Sequence, residues 1–250
     1  MNLASSACLL LLFLLGIAQA LPVQNEEGHE EGGEESAEDE FVDFTTRILS
    51  SNNNTDQLLL EGDLVAPTNR NTMKCWSSSC FWKKASNGFV VIPYVISSEY
   101  SGGEVATIEG AMRAFNGRTC IRFVRRTNEY DFISVVSKTG CYSELGRKGG
   151  QQELSLNRGG CMYSGIIQHE LNHALGFQHE QTRSDRDSYV RINWENIIPA
   201  SAYNFNKDAF SIAYWRDSIT PIPNPNVPIG QRNGMSRWDI TRINVLYNCC

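Results

Sequence analysis

The stretch HELNHALGFQHE, residues 169–180, constrains the fold of this 250-residue chain more than any other feature. It contains three of the four histidines in the sequence: His169, His173 and His179. On a helix, residues four positions apart project from the same face, so His169 and His173 can reach a single metal ion. Gly176 can adopt a positive φ angle and turn the chain so that His179 approaches the same ion. We therefore expect a helix from about residue 164 to 175 that stops at Gly176.

Three neutral nitrogen ligands with one open coordination position are typical of catalytic zinc. Glu170 follows the first histidine and can reach a water molecule at the open position without binding the metal. Once zinc activates that water, Glu170 can accept its proton while the oxygen attacks a carbonyl carbon, as in peptide hydrolysis. The alternative is a helix whose histidines are only hydrogen-bonded. Gly176 and His179 at fixed offsets favour the metal site.

The first twenty residues have the pattern of a secretory signal peptide. Residues 7–18 are almost entirely apolar, and Ala18-Gln19-Ala20 provides the small residues of a signal-peptidase site. This run is shorter than the roughly 20 apolar residues that span a bilayer. No Lys or Arg precedes the run, so only the amino terminus gives it positive charge. An uncleaved membrane anchor is the alternative to a cleaved signal. No later stretch is apolar enough to span a membrane, so we expect a secreted protein without a membrane partner.

Charge divides the rest of the chain at about residue 70. Residues 21–70 contain thirteen acidic and two basic side chains, whereas residues 71–250 contain fifteen acidic and twenty basic ones. The acidic run over 26–40 is too polar to bury a core, and we expect it to be disordered or solvated. The alternative is that it lies along the basic body before removal. The mild positive charge of 71–250 lacks basic clusters, which argues against a nucleic-acid partner. We therefore divide the chain into a signal peptide (1–20), an acidic segment (21–70) and a folded body (71–250).

Seven cysteines remain after Cys8 leaves with the signal peptide, all of them in the folded body. In an oxidising compartment we expect them to form disulfides. An odd number leaves one thiol free or paired with another chain. Cys249 and Cys250 are adjacent at the end of the sequence, so we expect the leftover thiol to be one of these two.

The pattern of apolar residues in the body predicts an α+β fold. Segments 89–96, 120–124, 131–137 and 152–156 have the composition of strands. Apolar residues recur at helical spacing over 103–116, and 236–246 has the pattern of a capped C-terminal helix. Four prolines between 221 and 228 indicate an irregular loop. Strands thus precede the histidine helix and a loop-rich part follows it, which leaves the site between two unequal halves.

The stretch HELNHALGFQHEQTRSDRD, residues 169–187, resembles the zinc signature of the astacin family of metzincin metalloproteases, and the likeness extends over nearly all of 58–250. The resemblance implies a zincin-like domain with a twisted sheet and active-site helix above a loop-rich lower half. It also implies one Zn²⁺ ion held by His169, His173 and His179, with Glu170 as catalytic base. CWSSSC, residues 75–80, is similar to the fish hatching enzymes of this family. That similarity implies egg-envelope glycoproteins as substrate. We also expect a monomer that is stored in secretory granules before release.

The resemblance further implies that the acidic segment is an inhibitory propeptide. Leu60-Glu61-Gly62-Asp63 is similar to the family's inhibitory motif, whose aspartate occupies the zinc position meant for water. An exposed turn acid is the alternative for Asp63. Residues 67–70 have the composition of an exposed linker, and a protease that cuts after Arg70 would leave Asn71 as the new amino terminus.

Two other features of the family map onto this chain. The glutamate directly after the third histidine, here Glu180, receives the freed amino terminus, with an ordinary helix-end acid as the alternative. Arg183, Asp185, Arg186 and Asp187 are interpreted as a structural ion-pair cluster. The implied disulfides leave Cys250 unpaired and are Cys75–Cys80, Cys120–Cys249 and Cys141–Cys161.

The chain departs from the family after the third histidine. Astacins carry a Ser-x-Met-His-Tyr stretch there; its methionine turn forms a hydrophobic floor below the zinc, and its tyrosine stabilises the transition-state oxyanion. The flanking sequences are present at 203–206 and 208–211, but the stretch itself is missing near Lys207, as a skipped exon, an assembly gap or a recent deletion would produce. Losing one oxyanion donor typically costs about 2.7–4 kcal/mol of transition-state stabilisation. The sequence therefore predicts a zinc endopeptidase or, alternatively, a zinc-binding protein with impaired catalysis.

Overall fold

The computed structural model describes residues 44–66, 78–197, 199–207, 219–227 and 234–249. Its helices are α1 (Phe44–Asn52), α2 (Gly102–Arg113), α3 (Ser164–Ala174) and α4 (Arg237–Leu246). Its strands are β1 (Leu59–Leu60), β2 (Leu64–Val65), β3 (Val90–Ile96), β4 (Ile121–Arg125), β5 (Phe132–Val136), β6 (Cys141–Ser143), β7 (Gln151–Leu156), β8 (Val190–Ile192) and β9 (Ile219–Pro221). Short 3-10 helices include Glu180–Thr182, Arg186–Ser188 and Pro199–Phe205.

Seven strands form one sheet in the order β1-β2-β6-β7-β5-β3-β4. In its centre, β3 is parallel to β4 and β5, and β5 is parallel to β7, whereas β6 runs antiparallel to β7. The first two strands come from the acidic segment: β1 and β2 are antiparallel, and β2 pairs with β6 through Leu64 and Ser143. The acidic segment therefore extends the sheet of the body at the β6 edge. The described residues all belong to one compact unit.

Helices α2 and α3 pack together over the core of this sheet. Helix α2 begins with a capping box, in which Ser101 and Glu104 each accept a hydrogen bond from the other's backbone N–H. Its Ile108 and Met112 are buried, as are Ile167 and Leu171 of α3. Because buried apolar side chains hold the histidine helix against the core, its His169, Glu170 and His173 side chains have a fixed position relative to the sheet.

Helix α4 closes the described part of the chain. Ser236 caps its first turn, and Ile240 and Ile243 join the same apolar core as α2 and α3. The Cys120–Cys249 disulfide ties the segment after this helix to the residue just before β4. No helix in the described ranges is long and apolar enough to cross a membrane.

The predicted elements of the body agree with the structure, and the expected α+β fold is confirmed. The strands at 89–96, 120–124, 131–137 and 152–156 correspond to β3, β4, β5 and β7 within a residue or two. The prediction of irregular loop at 221–228 was wrong at Pro221, which ends β9 and pairs with Val190 of β8. The acidic run over 26–40 lies outside the described residues.

Candidate active site

Helix α3 carries the first part of the histidine motif and ends where the sequence predicts. It spans Ser164–Ala174, and Gly176 has a φ angle of 99°. A Cβ atom at Gly176 would lie 2.9 Å from the ring of Phe81, so only glycine fits both the turn and the close approach. The chain leaves the helix in a new direction and brings His179 back to the histidines on α3.

The three imidazoles of the motif converge. The Nε2 atom of His169 lies 3.0 Å from that of His173 and 3.2 Å from that of His179. Asp63 of the acidic segment joins them, with Oδ2 2.9 Å from His169 Nε2 and Oδ1 3.0 Å from His179 Nε2. One atom from each of these four side chains lies within 4.8 Å of all the others.

This arrangement fits a four-coordinate metal ion. Zinc–nitrogen bonds of about 2.0–2.1 Å at tetrahedral angles separate the ligand atoms by about 3.3–3.4 Å, close to the separations found here. The outer nitrogen of His173, Nδ1, lies 2.7 Å from the backbone oxygen of Phe177, and that of His179 lies 2.8 Å from Oε2 of Glu61. Donation from Nδ1 leaves each Nε2 lone pair free for a cation. The residues present therefore suit zinc.

Glu170 lies beside this cluster and is fully buried. Neither of its carboxyl oxygens has a hydrogen-bond partner among the described residues. Burial raises the pKa of Glu170 well above its usual range, and the nearby carboxylate of Asp63 raises it further. A buried carboxyl group with no structural partner and an affinity for a proton is suited to acid–base chemistry at the metal.

The electrostatics of the cluster favour an ionised Asp63. Burial by itself would raise the pKa of Asp63, but His179 and His173 lower it well below the usual value. Burial lowers the pKa of His179, while the carboxylates of Asp63 and Glu61 raise it to about 10. Asp63 therefore presents a negative charge to the centre of the histidine cluster.

Glu180 follows the third histidine and is already paired. It accepts hydrogen bonds from Arg183 at 2.5 Å and from Nη2 of Arg242 at 2.8 Å, and its side chain is 25% exposed. Arg242 belongs to α4, so this ion pair joins the motif segment to the C-terminal helix. Asn71, the expected partner of Glu180, lies outside the described residues.

The residues after Glu180 form an ion-pair cluster, as the sequence predicts. Arg183 bonds to Asp185, and Arg186 bonds to Asp187. Arg186 is buried and also donates to the backbone oxygens of Gln181 and Phe205. The cluster thus holds the segment after the third histidine against the 3-10 helix that ends at Phe205.

Two disulfides stabilise the surroundings of the site. Cys141–Cys161 joins β6 to the residues just before α3, and Cys120–Cys249 fixes the C-terminal end. Cys80 is also disulfide-bonded; Cys75, the partner expected for it, and Cys250 lie outside the described residues. These bonds are consistent with an oxidising, extracellular environment.

The structure describes a tyrosine just before the expected gap near Lys207 and a methionine after it. Tyr203 is 49% exposed, and Met235 is buried in the main core, where its backbone N–H donates to the side chain of Gln168. The segment 208–211, expected to follow the gap, lies outside the described residues.

Three converging imidazoles with a buried carboxyl group beside them define a zinc metallopeptidase. Comparison with known proteins identifies the family. Residues 79–214 match the model of the astacin peptidase family. The chain belongs to the astacin family and is a zinc metalloendopeptidase whose metal site is formed by histidines.

The chain is similar to several relatives over all or part of their length. The chain is 86% identical to high choriolytic enzyme 1 of Oryzias latipes over 100% of both chains, and 46% identical to its low choriolytic enzyme. It is 42% identical to an astacin-like metalloendopeptidase of Gallus gallus, covering 86% of this chain and 57% of the relative. The solved structure of high choriolytic enzyme 1, a hatching enzyme zinc-protease, matches with a TM-score of 0.66 and 87% identity, covering 71% of this chain and 99% of that one.

Sequence reasoning missed the role of Glu61 in this site. Glu61 is buried, has a φ angle of 54° and contacts His179, which lies 118 positions further along the chain. The positive φ angle, uncommon for a residue other than glycine, turns the chain so that Glu61 and Asp63 both face the histidines. No local pattern in the sequence encodes this contact.

Proposed function

We propose that this chain is a secreted, zymogen-activated zinc metalloendopeptidase that hydrolyses egg-envelope glycoproteins. The observation that carries the proposal is the convergence of three histidines beside buried Glu170. The substrate class is supported by the relatives, since the two proteins 86% and 84% identical to the chain are named high choriolytic enzymes. Secretion is supported by the apolar leader and the disulfides, and we extend it to storage in granules and action as a monomer.

Each residue of the site has a proposed role. His169, His173 and His179 would hold the zinc ion, and the outer nitrogens of His173 and His179 orient their rings. When bound, zinc polarises the scissile carbonyl and makes the attacking water more acidic. Glu170 accepts the proton of that water and passes it to the leaving amine. Its burial keeps the proton from bulk solvent between the two steps.

Latency follows from the position of Asp63. Its carboxylate occupies the fourth corner of the histidine cluster, where water must bind for hydrolysis. The flanking strand β2 pairs with β6, and the backbone oxygen of Asp63 accepts a hydrogen bond from Ser143 at 3.0 Å. The acidic segment thereby blocks the site as an added strand of the sheet.

Activation requires loss of residues 21–70 after removal of the signal peptide, 1–20. Cleavage after Arg70 by a protease specific for basic residues removes both Asp63 and Glu61 from the cluster. It leaves a domain of residues 71–250 whose new ammonium group, on Asn71, pairs with Glu180. Because Glu180 is bound to Arg183 and Arg242 in the uncut chain, the ammonium group must displace or join those guanidinium groups.

We predict that Asp63→Ala activates the uncut precursor. The chain also carries Arg70→Gln so that it stays uncut. The rate of hydrolysis of a peptide substrate should rise at least about tenfold, because water no longer competes with the Asp63 carboxylate for the fourth position of the cluster. A tenfold change corresponds to about 1.4 kcal/mol. The matched control is Asp56→Ala, which removes an exposed acid of the same segment and should leave the rate unchanged. Equal rates for Asp63→Ala and the parent precursor would remove the latency role.

The expected absence of the methionine turn supports a second candidate function. The alignment with the 86% identical relative has 269 positions, whereas this chain has 250 residues. About 19 positions of the alignment are therefore gaps in this chain. If the gap lies near Lys207, the chain lacks the tyrosine that stabilises the oxyanion. The alternative is therefore a zinc-binding protein that binds envelope proteins and cleaves them poorly.

Isolated egg envelopes separate the two candidates. The activated protein should release soluble peptides from isolated envelopes, and a zinc chelator should stop that release. Amino-terminal sequencing of the same protein should give Asn71 as its first residue. Envelope binding without peptide release would support the impaired protein instead. A different amino terminus would contradict the pairing of Asn71 with Glu180. Sequencing the transcript across codons 206–209 shows whether the turn is encoded.

A further inference from the structure

The acidic segment contacts the body at a second place, away from the histidines. Residues Ser51 and Asn52, at the end of α1, lie against Gly140 and Gly160 of the body. Asn52 is buried, whereas the next two residues, Asn53 and Asn54, are exposed. Of these three asparagines at and just after the end of α1, only Asn52 is buried against the body.

Every hydrogen-bonding group of the Asn52 carboxamide that faces the protein is used. Its Oδ1 atom accepts a hydrogen bond from the backbone N–H of Cys141 at 2.7 Å. Its Nδ2 atom donates to the backbone oxygen of Cys141 at 2.8 Å and to that of Gly62 at 2.8 Å. One side chain therefore pairs with both backbone groups of the first residue of β6 and with the turn that carries Glu61 and Asp63.

Gly140 leaves the space that the Asn52 contact needs, and Gly160 leaves space for the neighbouring Ser51. A Cβ atom at Gly140 would lie 2.1 Å from Oδ1 of Asn52, and one at Gly160 would lie 2.1 Å from Oγ of Ser51. Among the described residues, apart from chain neighbours, only Ser51 has atoms within 4 Å of that position at Gly160. We call Gly140, Cys141 and Gly160 the Asn52 socket.

We propose that the Asn52 socket is a docking site for the propeptide, separate from the metal-directed contact of Asp63. Its ligand is a primary carboxamide at the end of a helix. Asn52 also bonds to Gly62, which lies between Glu61 and Asp63. The socket therefore fixes the position of those two carboxylates relative to the histidines. Asn52 is thus a positioning residue for latency, and this inference rests on the propeptide role proposed above.

Hydrogen–deuterium exchange at single-amide resolution tests the proposal without catalysis. The protein is the full precursor with Glu170→Gln and Arg70→Gln, so that it neither acts nor is cut. Asn52→Ala removes the acceptor of the Cys141 amide and loosens the turn whose Asp63 oxygen binds the Ser143 amide. Exchange at both amides should become at least about tenfold faster. The matched control, Asn54→Ala, should change neither rate.

Two further variants keep the result interpretable. Asn52→Asp retains an oxygen for the Cys141 amide but loses both donated bonds, so Ser143 should exchange faster while Cys141 stays protected. Asp63→Ala removes the metal-directed contact and leaves the socket filled, so the Cys141 amide should keep its protection. Unchanged exchange at Ser143 in both Asn52 variants, with slow exchange retained in α3, would overturn the proposal. A failure of the proposed proteolytic function would leave these exchange rates as predicted.

Discussion

Replacing Glu170 by Gln should lower kcat/KM of the activated chain by about a hundredfold to ten-thousandfold, the usual contribution of a general base. Glutamine has nearly the same shape but cannot accept a proton at neutral pH. Glu170 is buried, and neither of its carboxyl oxygens has a hydrogen-bond partner among the described residues, so no group bonded to it can take over its role. The rate is measured on a peptide substrate with zinc at saturation.

Two controls separate the loss of a base from the loss of the site. Zinc content should be unchanged in Glu170→Gln, because Glu170 is not a member of the histidine cluster. Glu104→Gln changes a surface carboxylate that pairs with Arg158, and its kcat/KM should stay within about twofold of the parent. A Glu170→Gln chain that retains most of the parent rate would refute the assigned base. A zinc-loaded parent with no turnover would favour the impaired protein.

Replacing Cys141 and Cys161 with alanine removes their disulfide and should lower the free energy of unfolding by about 3 kcal/mol. The two cysteines are 20 positions apart, and a disulfide that closes a loop of about this length typically contributes that much. Both cysteines are fully buried, so lost packing adds to the effect. For a domain of this size the melting temperature should fall by about 6–12 °C.

This disulfide also connects the strand that binds the propeptide to the segment before the histidine helix. It links β6, which pairs with the propeptide, to the residues that precede the histidine helix. Thermal unfolding of the precursor by circular dichroism measures the effect, with Cys250→Ser, the cysteine without an expected bridge, as the control. A fall of less than about 2 °C, with both variants folded, would contradict the structural role of the bond.

Much of the body could be predicted from sequence because its elements carry strong local patterns. Helix α3 is bounded by Gly176, and α2 and α4 each begin with a capping box. The short strands β6, β8 and β9 were not predicted. Each has only three residues, which is too few for a periodic pattern, and exists because a partner strand lies beside it.

The histidine cluster could be predicted because its members lie within eleven residues. The contacts from the acidic segment could not be derived from the residues alone, since Glu61 and Asn52 meet partners 118 and 89 positions away. Asp63 was identified only through the resemblance to the family's inhibitory motif. The buried pairing of Asn52 has no sequence signal, because three consecutive asparagines, 52–54, look alike and only one faces the body.

The most direct measurement is the zinc content of the folded precursor by elemental analysis, with folding checked by circular dichroism. One zinc ion per chain is expected in the parent and in Glu170→Gln. His169→Ala and His173→Ala should each reduce it to a small fraction at the same free zinc concentration. A folded parent without stoichiometric zinc, or full zinc content in both histidine variants, would contradict the account.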